Sequence, residues 1–227
     1  MSSPRPSGDD GPGPNFRLVI FDCDGVLVDS EPIANRVFAE LLGLHGISLT
    51  TEEVTRRFVG NSRDTCIAMA GEMRGEPLPA TFGQDWDSAF HLALEREVRP
   101  VAGIPEVLRS LRVPYCVASN GEPDHMRIGL TAAGLMPLVE GRLFSARQVA
   151  HPKPAPDLFL HAARAMGAVP ARCAVIEDTP TGVRAGVAAG MRVFAYCGGA
   201  HTDRAEVTAL GATPFDDMRE LPGLLAA

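Results

Sequence analysis

Four short apolar runs recur along the chain, and each stops abruptly at polar or glycine residues. FRLVIF (16–21) ends at Asp22, PYCVA (114–118) at Ser119-Asn120-Gly121, CAVI (173–176) at Glu177-Asp178, and RVFAYC (192–197) at a glycine pair. Runs this short, rich in apolar residues and without polar alternation, read as strands buried on both faces. Helical patterns separate them at roughly 103–112, 123–134, 156–167 and 179–190. Pro156 opens the third of these and Gly167 closes it, while Thr179-Pro180 and Gly190 bracket the fourth. Strand and helix alternating in this way predict an α/β fold with a doubly wound parallel sheet.

Residues 32 to about 100 break the rhythm. IANRVFAELLGLHG, EEVTRRF, RDTCIAMAGEM and DWDSAFHLALEREV are helical throughout, with no convincing strand among them. The stretch reads as a helical domain of 32–100 inserted into an α/β core of 15–31 and 101–227. At 227 residues the chain is long enough for a sizeable core. The first 14 residues, rich in Pro, Gly and Ser, are expected to form a disordered tail. They contain no apolar segment of a secretory signal, and no run approaches the ~20 apolar residues of a membrane span. The expected location is cytoplasmic, with no membrane partner. Five dispersed cysteines without a C-x-x-C pair point to a reducing compartment and no disulfide framework. A net charge of −7 speaks against a nucleic-acid partner. An anion can still bind where a metal ion and a lysine concentrate positive charge.

In an open parallel sheet, ligands bind at the carboxyl ends of the strands. The groups there suit phosphate chemistry. Asp22 and Asp24, two residues apart after the first run, supply a carboxylate nucleophile and a second carboxyl to protonate the leaving oxygen and later deprotonate water. Two such anions need a hard cation beside a phosphate dianion, and Mg²⁺ prefers oxygen ligands of this kind. Ser119 and Asn120 offer a hydroxyl and nearby N–H groups to a phosphate oxygen. Lys153, flanked by Pro152 and Pro154, offers a fixed point charge. Asp178 is expected to ligate the metal directly, and Glu177 to orient water or Lys153. Taken singly, each signal has a plain alternative: an aspartate-rich turn, a strand-to-helix connection, a solvated loop lysine, a helix cap. What distinguishes them is their order, each at a strand end. None of the six histidines is needed for this chemistry.

With these residues assembled, the sequence resembles the haloacid dehalogenase superfamily. DCDGVLVDS, VASNG, KPAPDLF and VIEDTPTGV are similar to its four ordered motifs. The resemblance implies a Rossmann-like core with a small α-helical cap inserted between the first two motifs. It also implies a metal held by the Asp22 and Asp178 carboxylates and the Asp24 backbone carbonyl, with Ser119 and Lys153 on the phosphate. Within the superfamily the chain resembles the branch of β-phosphoglucomutases, phosphoglycolate phosphatases and sugar-phosphate phosphatases, with segments similar to bacterial 6-phosphogluconate phosphatases. The mutases usually carry a histidine early in the first cap helix, where this chain has Ala34, so the resemblance favours transfer to water. Gly60-Asn61-Ser62-Arg63 resembles the cap loop that touches substrate, with Asn61 and Arg63 as substrate contacts; a surface arginine at a helix start is the alternative for Arg63. The expected ligand is a small phosphorylated metabolite and the expected state a monomer or weak homodimer. A sugar-phosphate mutase and a non-catalytic phosphometabolite-binding protein are the competing readings.

Overall fold

The computed structural model of the protein describes residues 16–58, 61–199 and 202–226. The expected tail, 1–14, and Gly60 of the cap loop lie outside the described residues. The chain opens with β1 (Leu18–Phe21) and continues through α1 (Glu31–Leu44), α2 (Thr51–Phe58), α3 (Arg63–Arg74) and α4 (Phe82–Glu97). Next come α5 (Ile104–Ser110), β2 (Tyr115–Ser119), α6 (Pro123–Ala132), α7 (Met136–Val139), β3 (Leu143–Ser145) and α8 (Asp157–Ala165). The last part comprises β4 (Cys173–Glu177), α9 (Pro180–Ala188), β5 (Arg192–Tyr196), α10 (Arg204–Ala209), β6 (Thr213–Phe215) and α11 (Leu221–Ala226).

All six strands are parallel and lie in the order β3-β2-β1-β4-β5-β6. The expected doubly wound, Rossmann-like α/β sheet is therefore what the chain forms. The central strands carry apolar residues at every position because both their faces are covered. Val19, Phe21, Val117, Ala174 and Ile176 enter one buried cluster, while Leu18, Ile20, Cys116, Ala118 and Val175 enter the other. This follows from the two-residue period of a strand. The strand order reverses between β1 and β4, so the connections leaving these neighbours part company and open a crevice at their carboxyl ends. Asp22 N donates to the Ile176 carbonyl at 2.9 Å, which ties the residue after β1 to the end of β4.

Two strands were not anticipated. β3 and β6 are three residues each, at the two edges of the sheet, and β6 contains Pro214. An edge strand tolerates proline because one side of its backbone has no ladder to complete.

The four helices between β1 and α5 pack around a separate cluster of Phe38, Leu42, Val54, Phe58, Cys66 and Phe82. Phe38 stacks on Trp86 with ring centroids 4.2 Å apart and meets Phe58 edge-on. The base of this insert belongs to the sheet's core: Ile33, Val37, Leu94 and Val98 join the cluster of Val19 and Phe21. A Cβ at Gly129 of α6 would stand 3.3 Å from Leu94, so glycine lets α4 run close to the core. Cys116 and Cys173 lie buried in the sheet, where burial pushes their thiols up to about 12 and about 11, and they act as small core residues. No helix among the described residues is long and apolar enough to cross a membrane.

Candidate active site

At the switch point a cavity of about 460 Å³ is lined by Asp22, Asp24, Ser119, Lys153 and Asp178, with Asn61 of the insert at its edge. Lys153 is its electrostatic centre. The Nζ atom donates to Asp22 Oδ1 at 2.6 Å and to Glu177 Oε1 at 2.7 Å, and the lysine is 6% exposed. The Phe159 ring of α8 lies 4.7 Å from Nζ, a cation–π contact that closes the remaining side. Burial works against the Lys153 charge, but the two carboxylates outweigh it and raise its pKa. Burial pushes the Asp22 carboxyl well above its usual range and Glu177 and Asp178 push the same way, against the pull of Lys153.

Glu177 also lines the cavity, but its carboxylate is fully engaged by neighbouring donors. Its Oε2 accepts from the backbone N–H groups of Asp178 and Thr179 at 3.1 and 3.2 Å and from the Thr179 hydroxyl at 3.0 Å. Thr179 in turn caps α9 by accepting from Gly182 N at 3.1 Å. Gly182 is required here, since a Cβ would fall 1.8 Å from the Glu177 carboxylate. Glu177 thus orients Lys153, one of the two roles the sequence left open for it.

Asp24 lines the same cavity but has different partners. Its Oδ1 accepts from Ser30 Oγ at 2.7 Å and meets His125 Nε2 at 3.1 Å. Burial raises the Asp24 carboxyl, but His125, Ser30 and Lys153 together hold it below the ordinary range. With Oδ1 as the acceptor in both contacts, Nε2 carries the hydrogen, and a proton on the carboxyl would sit on Oδ2. Burial pulls the imidazole down, yet Asp24 more than offsets this and its pKa is raised. No histidine was expected in this chemistry, so His125 is the residue that sequence reasoning missed. A signal existed: His125 sits in the first turn of α6, directly after β2, at the same end of the sheet as Asp22.

Two of the expected substrate contacts have partners within the protein. The side-chain amide of Asn120 is spent on the backbone of Lys153, donating to its carbonyl at 3.1 Å and accepting from its N–H at 3.0 Å. It braces the lysine loop. Arg63 pairs with Asp87 of α4 at 2.7 Å and lines a different cavity from Asp22, because the first turn of α3 faces α4. Ser119, Asn120 and Asn61 all line the Asp22 cavity, with Ser119 Oγ accepting from Gly121 N at 3.0 Å.

The donor set suits a divalent cation. Asp22, Glu177 and Asp178 bring buried carboxylate oxygens within 4.8 Å of one another, against the single buried ammonium of Lys153. Hard oxygen donors in surplus over positive charge fit Mg²⁺. These three carboxylates are the side chains that could hold it.

Residues 16–190 match the model of the haloacid dehalogenase-like hydrolases. The chain belongs to that family. The 6-phosphogluconate phosphatase of Escherichia coli (strain K12) is 31% identical over 213 residues, spanning 93% of this chain and 96% of that protein. A fructose-1-phosphate phosphatase of the same organism is 32% identical over 177 residues, or 76% and 92% of the two chains. Among solved structures, a haloacid dehalogenase-like protein from Agrobacterium tumefaciens superposes with a TM-score of 0.85 at 36% identity, covering 93% of this chain and 98% of that one. A hydrolase of the family from Deinococcus radiodurans, solved with bound phosphate and sodium, gives 0.81 at 34% identity over 94% and 96%. This hydrolase is a phosphoric monoester hydrolase, a phosphatase on the Rossmann-like scaffold.

Proposed function

We propose that this hydrolase dephosphorylates a small sugar phosphate or phospho-acid, such as 6-phosphogluconate, through an aspartyl-phosphate on Asp22. The observation that carries the reading is Lys153 Nζ, 2.6 Å from Asp22 Oδ1 in the switch-point cavity. An ammonium held there fixes one carboxylate oxygen and leaves Oδ2 to attack phosphorus. The phosphorus–oxygen bond to the leaving group breaks as the new bond forms, and Asp24 gives the departing oxygen a proton. Asp24 then takes a proton from water, which attacks phosphorus and frees inorganic phosphate and the Asp22 carboxylate. Ser119 and Lys153 hold the phosphoryl oxygens. Mg²⁺ held by Asp22, Asp178 and the Asp24 backbone carbonyl would supply the positive charge that offsets the dianion among carboxylates.

In this reading residues 32–100 act as a cap over the core and Asn61 meets the leaving group. The protein works in the cytoplasm as a monomer or weak homodimer. Identity with sugar-phosphate and phosphogluconate phosphatases supports this substrate class. The test is phosphate release from a panel of phosphorylated sugars and phospho-acids with Mg²⁺, comparing wild type with Asp22→Asn. Wild type should release phosphate and the variant should lose at least about a thousandfold in kcat while keeping its circular dichroism. A folded Asp22→Asn retaining more than about a hundredth of the rate overturns the assignment. Conversion of a sugar 1-phosphate to the 6-phosphate without free phosphate would establish a mutase instead.

A further inference from the structure

The Asp24–His125 contact stands between two cavities. One is the switch-point cavity; the other, about 490 Å³, is lined by Ala34, Arg63, Trp86, Phe90, His91 and His125, among others. His125 lies on α6 of the core with its side chain 13% exposed. Its ring is packed by Phe90 and His91 of α4, with centroids 5.2 and 5.4 Å away. On the other side the ring lies beside Gly121, where a Cβ would be in ordinary contact with it at 3.4 Å and 3.3 Å from Ser119 Oγ.

The decisive detail is which oxygen of Asp24 is engaged. Ser30 Oγ and His125 Nε2 both reach Oδ1, at 2.7 and 3.1 Å. The torsion that turns an aspartate carboxyl is broad and nearly two-fold, so one donor leaves the group free to swivel. Two donors from distant parts of the chain, converging on one oxygen, remove that freedom. Oδ2 is then the oxygen available for proton transfer.

We propose that His125 is a positioning residue for Asp24, fixing its carboxyl so that Oδ2 faces the leaving-group oxygen, with the rings of α4 seating the imidazole. The inference rests on the reading of Asp24 as proton donor. It assigns a role in the reaction to a contact between the core and the insert, because α4 holds the residue that holds the acid.

The test compares leaving groups. An alkyl phosphate (6-phosphogluconate, fructose 1-phosphate or glycerol 3-phosphate, whichever wild type turns over fastest) needs its leaving oxygen protonated, whereas p-nitrophenolate departs as a stable anion. Single-turnover release of each leaving group isolates the first half-reaction. His125→Phe keeps a ring against Phe90 but removes the donor; His125→Leu carries the same comparison should the phenylalanine variant be unstable. Release from the alkyl phosphate should slow about 10- to 100-fold, up to the lower end of the roughly 100- to 10,000-fold that general acid catalysis contributes. The loss should be at least about fivefold larger than for p-nitrophenyl phosphate, with KM changed less than about threefold. His125→Gln, which restores an N–H near Nε2, should recover part of the rate. Equal losses on both substrates, or a glutamine variant no better than phenylalanine, overturn the inference and leave His125 a packing residue. Asp24→Asn separates this from failure of the underlying reading. If it slows both substrates equally, the proton-donor role of Asp24 falls, and the role of His125 with it. If only Asp24→Asn discriminates between the substrates, the inference about His125 falls alone.

Discussion

Glu177→Gln changes one atom, yet the surroundings make it a severe substitution. Every partner of the Glu177 carboxylate acts as a donor: the Lys153 ammonium at 2.7 Å, the N–H groups of Asp178 and Thr179 at 3.1 and 3.2 Å, and the Thr179 hydroxyl at 3.0 Å. A glutamine amide has only one accepting atom. With its oxygen toward Lys153, the NH₂ faces two backbone N–H groups; turned over, it faces the ammonium. Glu177 is 1% exposed, so water cannot repair either arrangement. Breaking a buried ion pair from one side costs about 3–5 kcal/mol. Lys153 keeps Asp22 at 2.6 Å, which places the expected loss near the lower end, about 3 kcal/mol. For a chain of this size that corresponds to a fall in Tm of about 6–12 °C. The lysine, now held by one carboxylate, also loses its fixed position, and kcat should drop at least about tenfold. Differential scanning calorimetry and steady-state phosphate release measure the two effects. A Tm within about 2 °C of wild type together with an unchanged kcat would refute the account of Glu177 as the residue that orients Lys153.

Gly182→Ala should injure the same pair from the other side, because its Cβ would lie 1.8 Å from the Glu177 carboxylate; both Tm and kcat should fall. Gly186→Ala, whose Cβ would press on Val193 at 2.6 Å, should cost about 1–3 kcal/mol in urea unfolding with kcat unchanged. Arg63→Ala removes a half-exposed pair with Asp87, so Tm should move by less than about 2 °C and kcat/KM for a phospho-acid by less than about threefold; a loss of tenfold or more would return Arg63 to the substrate. Treatment with EDTA should abolish turnover and added Mg²⁺ restore it, while Ca²⁺, with its looser coordination shell, should inhibit; full turnover in chelator would remove the metal from the reaction.

The central sheet was legible because β1, β2 and β4 are covered on both faces and therefore carry unbroken apolar runs. The same reasoning could not find β3 and β6, whose three residues at the sheet edges include Ser145 and Pro214. Asp22, Ser119 and Asp178 were marked by their places at strand ends and Lys153 by its flanking prolines, and the structure gathers the four in one cavity. The protein partners of Asn120 and Arg63 were not legible, for a common reason. A polar side chain near a site satisfies whichever partner lies closest, and those partners, the Lys153 backbone and Asp87, are 33 and 24 residues away in sequence. The contact of His125 with Asp24 spans 101 residues, and only the place of His125 soon after β2 hinted at it.

The strand order has a consequence for how the enzyme comes into being. Lys153 and Asp22 are 131 residues apart, and Asp22 also needs the end of β4, reached only after three-quarters of the chain has been made. Closing so long a loop carries an entropic cost that no nearby contact offsets in advance. During synthesis, β1 must therefore wait, apolar on both faces, while the insert emerges and gathers around Phe38 as a local helical cluster. The cavity has no partial version: Asp22 exists early, but Lys153 and Asp178 can join it only once β4 has been made and lies beside β1. A ribosome-bound chain is thus chemically silent until its sheet is nearly whole.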